Sequence, residues 1–352
     1  MNFFALDLHI GIRDIQWIFE KLGHTLTVWS LSDAHALMGW ERARVDVVNN
    51  QTWLQLDESM CDAFYKRYKG ELGDYDGFVC FYPPSMSMVY EPFKKPIIIQ
   101  MPVRYETPFS GDSIKWDTFN KFLKRELKKN KIHIIANNRY DADYFEIFTG
   151  IRIDVISSLC AYTGMEYKGS NRKELLLTKS DGTAEMLKHR RFVRKQGLTM
   201  TWDEIADFEA CVHIPYHNSL MSIFEQYQAN IPLFFPTKPF LTSLCKSFGG
   251  SVLSEMTWNK IFGLPPQSRI PPDISIDPNN YTGDITLQYQ IDRCDWYDDK
   301  RFKYIQYFDS FLDLFEQLER VDLKAISAKM KAFNVDREKT ILGQWKALLD
   351  GI

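Results

Sequence analysis

The sequence predicts an α/β protein with two Rossmann-like domains and a C-terminal helical tail. Strand patterns alternate with helix patterns up to about residue 138, and the alternation starts again near residue 173. From Phe308 onward the periodicity is helical. Strands that alternate with helices form parallel sheets, and a chain of 352 residues is long enough for about two domains.

The first domain begins with a strand, a loop, a helix and a second strand. These are NFFAL, DLHIGIR, DIQWIFEKLG and HTLTVWSL, and we expect Asp14 to cap the helix and Gly23 to end it. Further strands are predicted in YDGFVCFYP, KKPIIIQMP and KNKIHIIAN. We expect residues 1–160 to form this domain.

The second domain is predicted over residues 161–315. Its first strand is KELLLTK, and TAEMLKHRRFVRKQG is predicted as a basic helix. Further strands end DEIADFEACVHIPYH and SLMSIFEQYQANIPLFFP, and a loop rich in proline and aspartate follows at 265–300. Residues 316–352 are expected to form helices that pack back on the N-terminal domain, with the two domains facing each other across a cleft.

Composition and charge exclude several classes of function. The net charge is −3, so no overall positive charge draws the chain to nucleic acid or to an anionic membrane. The six cysteines form no C-x-x-C pair, which suggests a reducing compartment. The N-terminus lacks the basic start of a signal peptide, and no apolar run reaches the roughly 20 residues of a membrane span. We therefore expect a cytoplasmic protein without a transmembrane segment.

The most informative stretch is HIPYHNSLMSIFEQYQANIP, residues 213–232. It reads as the end of a strand, a polar loop and a helix that starts near Ser219, with Glu225 inside the helix. The N-terminus of a helix attracts anions. Here the sequence resembles the nucleotide-binding signature of GT-B glycosyltransferases, in which a helix-borne glutamate typically holds the donor ribose.

That resemblance implies a donor site, which would comprise Tyr216, His217, Asn218, Ser219, Ser222 and Glu225. In retaining members of the class a first glutamate precedes the second, with seven residues between them, and His217 occupies that first position here. The resemblance therefore leaves open whether transfer retains or inverts the configuration of the sugar.

The N-terminal loop LDLHIGIRDI resembles the first loop of GT-B acceptor domains. Asp7 and His9 follow the first strand, where open α/β sheets bind ligands, and Gly11 permits close backbone approach. Either Asp7 or His9 is a candidate base for an acceptor hydroxyl. Gly11 and Arg13 are expected on the acceptor side of the loop.

Basic residues early in the second domain are candidates for binding the donor diphosphate. The resemblance implies a cation there, and fixed cations stabilise a leaving pyrophosphate. The candidates are Lys179, Arg190, Arg191, Arg194 and Lys195. A second basic stretch, residues 121–129, is predicted as the solvated face of a helix.

Asp141 and Asp143 support an alternative hypothesis, a metal-dependent site, because D-x-D motifs bind a metal and diphosphate in GT-A glycosyltransferases. The pair is separated from the preceding strand by four residues and continues into a helix, so Asp141 is predicted as a helix cap instead.

The predicted function is thus sugar transfer from a nucleotide-sugar donor (UDP-, GDP- or dTDP-linked) to an acceptor hydroxyl on a glycan or small molecule. We expect no metal and no other cofactor, and a homodimer is left open. Two alternatives remain: a nucleotide-sugar epimerase of the same architecture, and a non-catalytic protein that binds nucleotides or carbohydrates.

Overall fold

The computed structural model describes residues 1–32, 42–188, 191–248, 251–253, 274–278 and 284–352. The chain divides into two compact units. The first includes Met1–Ser157 and Leu342–Ile352, and the second includes the described residues of Ser158–Ile261 and Ser275–Ile341. The predicted boundaries at residues 160 and 315 stay predictions.

The first unit contains a six-stranded parallel sheet within its described residues. Its strands are β1 (Asn2–Asp7), β2 (Thr25–Ser30), β3 (Gly77–Cys80), β4 (Ile97–Met101), β5 (Ile132–Ala136) and β6 (Asp154–Val155). Its helices are α1 (Ile12–Lys21), α2 (Glu58–Leu72), α3 (Ser113–Lys128) and α4 (Arg139–Thr149). The strand order β2-β1-β3-β4-β5-β6 reverses direction between β1 and β3.

The second unit repeats this topology with five parallel strands in its described part. They are β7 (Glu174–Leu177), β8 (Phe192–Arg194), β9 (Ala210–His213), β10 (Leu233–Pro236) and β11 (Gln306–Phe308). The order β11-β10-β9-β7-β8 reverses between β7 and β9. Open sheets of this kind bind ligands outside the carboxyl ends of the strands at such a reversal, the topological switch point.

The remaining α-helices of the described chain belong mainly to the second unit. They are α5 (Asp181–Met186), α6 (Trp202–Ala206), α7 (Met221–Gln228), α8 (Lys238–Phe248), α9 (Asp284–Asp292), α10 (Phe311–Arg320) and α11 (Leu323–Asp350). The end of α11 belongs to the first unit, where Trp345 is fully buried with its ring 5.7 Å from that of Phe19. Within the described part of the chain, no helix combines the length and the apolar composition of a membrane span.

The prediction of two Rossmann-like domains is confirmed by the two parallel sheets, and each core is formed mainly by the apolar strands. In the first unit, Phe3 and Phe4 of β1 are fully buried, and Phe78 of β3 stacks on Tyr90 with the ring centroids 4.4 Å apart. In the second unit, His213 of β9 stacks on Phe235 of β10 at 4.7 Å. Buried aromatic pairs of this kind stabilise the sheets beyond the area they bury.

Several local predictions were wrong. The basic helix predicted over TAEMLKHRRFVRKQG is a short helix, α5, followed by the strand β8. Phe192 and Val193 favour a strand, and there they pair with β7. Helix α1 begins at Ile12 with Gly11 as its N-cap, so Asp14 lies in its first turn and does not cap it. Helix α7 begins at Met221, two residues after the predicted start.

Asp141 is not the N-cap of α4. The cap is Asn138, whose side chain accepts a hydrogen bond from the backbone N–H of Asp141. Asp141 itself is buried, and its carboxylate also accepts from the amide of Asn138 at 2.5 Å. Asparagine is as good a cap as aspartate, and it comes first in the sequence.

Candidate functional site

The switch point of the first sheet brings together the loop after β1 and the loop after β3. Asp7 ends β1 and is fully buried. Its Oδ2 accepts hydrogen bonds from the backbone N–H groups of Phe81, at 3.1 Å, and Tyr82, at 2.8 Å. Its Oδ1 accepts from the N–H of His9 at 2.8 Å. The carboxylate therefore ties the two loops together.

Asp7 has a strongly altered acidity. Burial raises the pKa of Asp7 to about 7, against the opposing effect of the backbone N–H donors. This pKa is close to the value that favours proton transfer near neutral pH. Both oxygens of Asp7 already accept backbone hydrogen bonds, and neither is exposed. In this structure Asp7 therefore holds the β1 loop in place.

His9 is half-buried and lies in the same loop. Its Nδ1 accepts a hydrogen bond from the backbone N–H of Gly11 at 3.0 Å. Since Nδ1 is an acceptor, the proton of the neutral ring is on Nε2. Burial lowers the pKa of His9 to about 4, so the ring is neutral at physiological pH. Its ring packs against Phe81 and Tyr82, with the centroids 5.9 and 5.8 Å away.

Gly11 is required where it lies. A Cβ atom on this residue would come within 2.5 Å of Cε1 of Phe81 and 3.0 Å of Nδ1 of His9. Arg13 is in the first turn of α1 and donates a hydrogen bond to Gln16 at 2.5 Å. Asp7 ends β1, and His9 and Gly11 lie in the loop that follows, as the sequence predicted; their functional roles stay predictions. No sequence pattern pointed to the contacts that Phe81 and Tyr82 make with Asp7 and His9.

The switch point of the second sheet also holds predicted residues. Lys179 follows β7 and Tyr216 follows β9, and Nζ of Lys179 lies 3.6 Å from the centroid of the Tyr216 ring. A cation at this distance over an aromatic ring is held by the electrostatic attraction of the ring face. Partial burial lowers the pKa of Lys179. This contact joins the two loops of the switch point, and both of its residues belong to the predicted donor site.

The predicted diphosphate cations are divided between the two edges of this sheet. Arg194 ends β8, and Lys195 follows it, so both lie at the carboxyl edge with Lys179. Arg194 forms an ion pair with Asp181 at 2.7 Å. Arg191 precedes β8 and lies at the opposite, amino edge, where its Nε is 2.5 Å from Oε1 of the buried Glu174. Arg190 lies outside the described residues.

The Tyr216–Ser219 loop is held by contacts within the loop and by a contact with helix α9. Nδ1 of His217 is 3.0 Å from the carbonyl oxygen of Ser219, and the amide of Asn218 donates to the carbonyl oxygen of Gln290 at 3.2 Å. His217 and Asn218 are buried, and Oδ1 of Asn218 has no hydrogen-bond partner in the described structure. Ser222 is half-buried in the first turn of α7.

Glu225 is buried in α7, with 6% of its surface exposed. Its Oε1 accepts a hydrogen bond from the hydroxyl of Tyr162 at 2.6 Å. Burial raises the pKa of Glu225, while the Tyr162 hydroxyl and the charge of Lys195 lower it. Tyr162 was not predicted, because a tyrosine in a polar connection has no sequence pattern that points to a distant carboxylate.

No protein-family model matches the sequence, and no curated protein matches it. Solved structures do match. The glycosyltransferase SnogD from Streptomyces nogalater has a TM-score of 0.45 at 9% identity, covering 99% of this chain and 98% of its own. A glycosyltransferase of kitacinnamycin has a TM-score of 0.38 at 10% identity, covering 98% and 95%.

A third match is the spinosyn rhamnosyltransferase SpnG complexed with thymidine diphosphate, with a TM-score of 0.37 at 10% identity, covering 83% of this chain and 96% of its own. These matched structures are all glycosyltransferases.

Among the described residues, no group of three or more His, Cys, Asp or Glu side chains could hold a metal ion. The Asp141 and Asp143 pair belongs to helix α4, with Asp141 engaged by Asn138.

Proposed function

We propose that this protein is a glycosyltransferase that moves a sugar from a nucleotide-sugar donor to an acceptor hydroxyl by a metal-independent GT-B mechanism. One observation supports this most strongly. Each of the two doubly wound sheets has a switch point, and groups suited to a different substrate lie at each one. Asp7 and His9 lie at the first, and Lys179 and Tyr216 lie at the second.

The second unit would bind the donor. Lys179 and Lys195 supply positive charge at the carboxyl edge of the sheet, where a diphosphate would bind, and Arg194 lies beside them in its ion pair with Asp181. Cations fixed at that position stabilise the charge that develops on the leaving nucleoside diphosphate as its bond to the sugar breaks. Glu225 would accept hydrogen bonds from the ribose hydroxyls, and the loop from Tyr216 to Ser219 would line the nucleotide.

The first unit would bind the acceptor beside the β1 loop. His9 is the more accessible of the two base candidates, because Asp7 is enclosed and bonded to three backbone N–H groups. The acceptor oxygen would attack the anomeric carbon and pass its proton to Nε2 of His9, while the bond from that carbon to the diphosphate breaks and the nucleoside diphosphate leaves. Nε2 can take this proton only when the neutral ring carries its own proton on Nδ1, so base catalysis requires tautomer exchange through solvent and loss of the hydrogen bond from Gly11. Asp7 then acts as a positioning residue.

Binding measurements on a matched pair of lysine variants test the donor site. Wild-type protein would be screened by thermal shift and calorimetry against UDP, GDP, dTDP and CMP and their sugars. We expect one nucleotide to bind, and Lys179→Ala to weaken it about 10- to 100-fold, the loss of a charge-assisted hydrogen bond. Lys173→Ala is the control, because Lys173 precedes the same strand at its opposite end.

The same assay tests the ribose contact. Glu225→Gln should weaken the ribonucleotide about tenfold, and should leave the corresponding 2′,3′-dideoxynucleotide unchanged. Equal weakening by Lys173→Ala and Lys179→Ala, or no binding of any nucleotide, would rule out the proposed donor site. Conversion of the donor without any acceptor, seen by NMR of the sugar, would identify an epimerase.

A further inference from the structure

Positive charge is concentrated on one side of helix α3 in the first unit. Lys121, Lys124, Arg125 and Lys128 recur at helical spacing and share one side, which we call the basic face. All four are exposed. The opposite side of α3 is buried, through Trp116, Phe119, Phe122 and Leu123.

The charge of this region differs from that of the whole chain. Residues 113–131 contain seven lysines and arginines and only two acidic residues, whereas the full chain contains 43 basic and 46 acidic residues. The basic region continues past the helix. Lys131 precedes β5, and its carbonyl oxygen accepts a hydrogen bond from the N–H of Ile97 in β4 at 2.9 Å. Lys95, which precedes β4, therefore lies at the same edge of the sheet.

Most of these cations form no ion pair within the described chain, although Lys121 and Arg125 line a cavity that Glu58, Asp62 and Glu91 also line. Arg125 pairs with Glu91 at 2.5 Å and with Glu126 at 2.8 Å. Lys121, Lys124 and Lys128 form no ion pair with any described residue. Interaction with the helix dipole stabilises cations only in the last turn, so it accounts for Lys128 but not for Lys121 or Lys124.

An exposed apolar side chain lies on the same side of the helix. Ile114 precedes Lys121 by seven residues, about two turns, and 77% of it is exposed. Helices that bind at the interface of a bilayer combine basic residues with apolar residues that enter the headgroup and acyl boundary. Clusters of four to eight basic residues on such a helix are typical of binding to anionic lipids.

We propose that the basic face of α3, together with Ile114, attaches this protein peripherally to an anionic lipid surface. The lysines would supply the attraction to the headgroups, and Ile114 would enter the apolar boundary. The proposal is independent of sugar transfer, because it concerns a surface helix and not the loops at either switch point.

Vesicle co-sedimentation tests the charge contribution. The full-length protein should bind vesicles of phosphatidylcholine mixed with phosphatidylglycerol in low-salt buffer, and should not bind pure phosphatidylcholine. Substituting Lys121, Lys124 and Lys128 together by glutamate should weaken binding about 100-fold or more. The control substitutes Lys324, Lys329 and Lys331 of α11 by glutamate, which changes the net charge equally, and should weaken binding less than about threefold.

The apolar contribution separates a lipid surface from a soluble polyanion. Ile114→Ser should weaken vesicle binding about tenfold and leave heparin binding unchanged. Leu312→Ser, at a residue that is 69% exposed in α10, should change neither. The proposal fails if wild-type protein does not bind anionic vesicles, if the two charge-reversal variants lose binding equally, or if heparin binds through the same lysines while vesicles do not.

Discussion

At the scale of single residues, the geometry of the β1 loop depends on Asp7. Three backbone N–H groups, from two separate loops, donate to its two carboxylate oxygens. A buried N–H group that loses its acceptor is costly, so a carboxylate at this position fixes the path of both loops. Because the loops meet at the switch point, the same contacts determine where His9 is held.

Replacing Asp7 by asparagine should therefore destabilise the fold. An amide has one acceptor oxygen where the carboxylate has two, so at least one of the three N–H groups would face an NH₂ group. We expect Asp7→Asn to lower the free energy of unfolding by about 1–3 kcal/mol at about pH 4, below the raised pKa of Asp7, where the substitution removes an acceptor but little buried charge. Asp62→Asn, on the exposed side of α2, should change it by less than about 0.5 kcal/mol. Urea denaturation would show both, and equal stability of the two variants would contradict this role of Asp7.

Gly11 supports a second prediction. A methyl group there would overlap the ring of Phe81, so Gly11→Ala should cost about 1–3 kcal/mol of stability. Gly70 lies inside α2 with open space around its Cα, and Gly70→Ala should instead stabilise the protein by about 0.5–1 kcal/mol. Thermal unfolding of the two variants should thus shift in opposite directions. A stabilising Gly11→Ala would mean that the close approach to Phe81 is wrong.

The protonation of His9 is directly measurable. Nitrogen-15 NMR should find the neutral Nε2–H tautomer at about pH 7, and the ring should still be neutral at about pH 5, because burial lowers the pKa of His9 to about 4 from the usual 6.5. In the unfolded chain the ring takes up a proton first as the pH falls. The stability that His9 contributes is therefore complete above about pH 6.5 and is lost as the pH falls towards 4. Titration near pH 6.5, or an Nδ1–H tautomer, would contradict the hydrogen bond from Gly11.

At the scale of secondary structure, the sequence identified long periodic elements better than short ones. β1, β4 and β5 lie in mostly apolar runs, and each of these runs was predicted as a strand. β8 is three residues long and lies among basic residues, so the helical pattern around it concealed it. A strand places the residue before it and the residue at its end on opposite edges of the sheet. Because β8 was predicted as a helix, Arg191 was grouped with Arg194 and Lys195, whereas the structure has it at the amino edge.

The candidate site was predictable from the sequence only where its residues directly follow a predicted strand. Residues that directly follow predicted strands, such as Asp7 and Lys179, could be assigned to the carboxyl edge from the sequence alone. Phe81 and Tyr82 follow β3, and the order of the strands, which the sequence does not state, is what brings them beside Asp7. The contact between Tyr162 and Glu225 spans 63 residues and depends on tertiary packing.

The end of helix α11 has a structural role in the first unit. Trp345 is fully buried there, against Phe19 of α1. Trp345→Ala should lower the free energy of unfolding by about 3–5 kcal/mol, because it leaves a large cavity. The neighbouring Lys346 makes only an exposed ion pair with Asp350, so Lys346→Ala should cost less than about 0.5 kcal/mol. A Trp345→Ala variant as stable as Lys346→Ala would show that this segment is not part of the folded unit.

At the scale of the whole molecule, the chain contains the same topology twice. Both sheets reverse their strand order after the second strand, so each unit has one place where loops from neighbouring strands diverge and leave room for a ligand. The two places differ in chemistry. One holds a buried carboxylate and a neutral imidazole, and the other holds a cation over an aromatic ring. A reaction between two substrates, one of them a diphosphate, fits that difference.

The most direct test of this account is hydrogen exchange measured by mass spectrometry, with and without the nucleoside diphosphate that binds best. We predict slower exchange at the carboxyl ends of β7 and β9, in residues 177–180 and 213–220. Exchange at the amino ends of the same strands, in residues 172–174 and 208–210, should not change. Protection confined to the amino ends, or spread evenly over both edges, would contradict a donor site at the switch point of the second sheet.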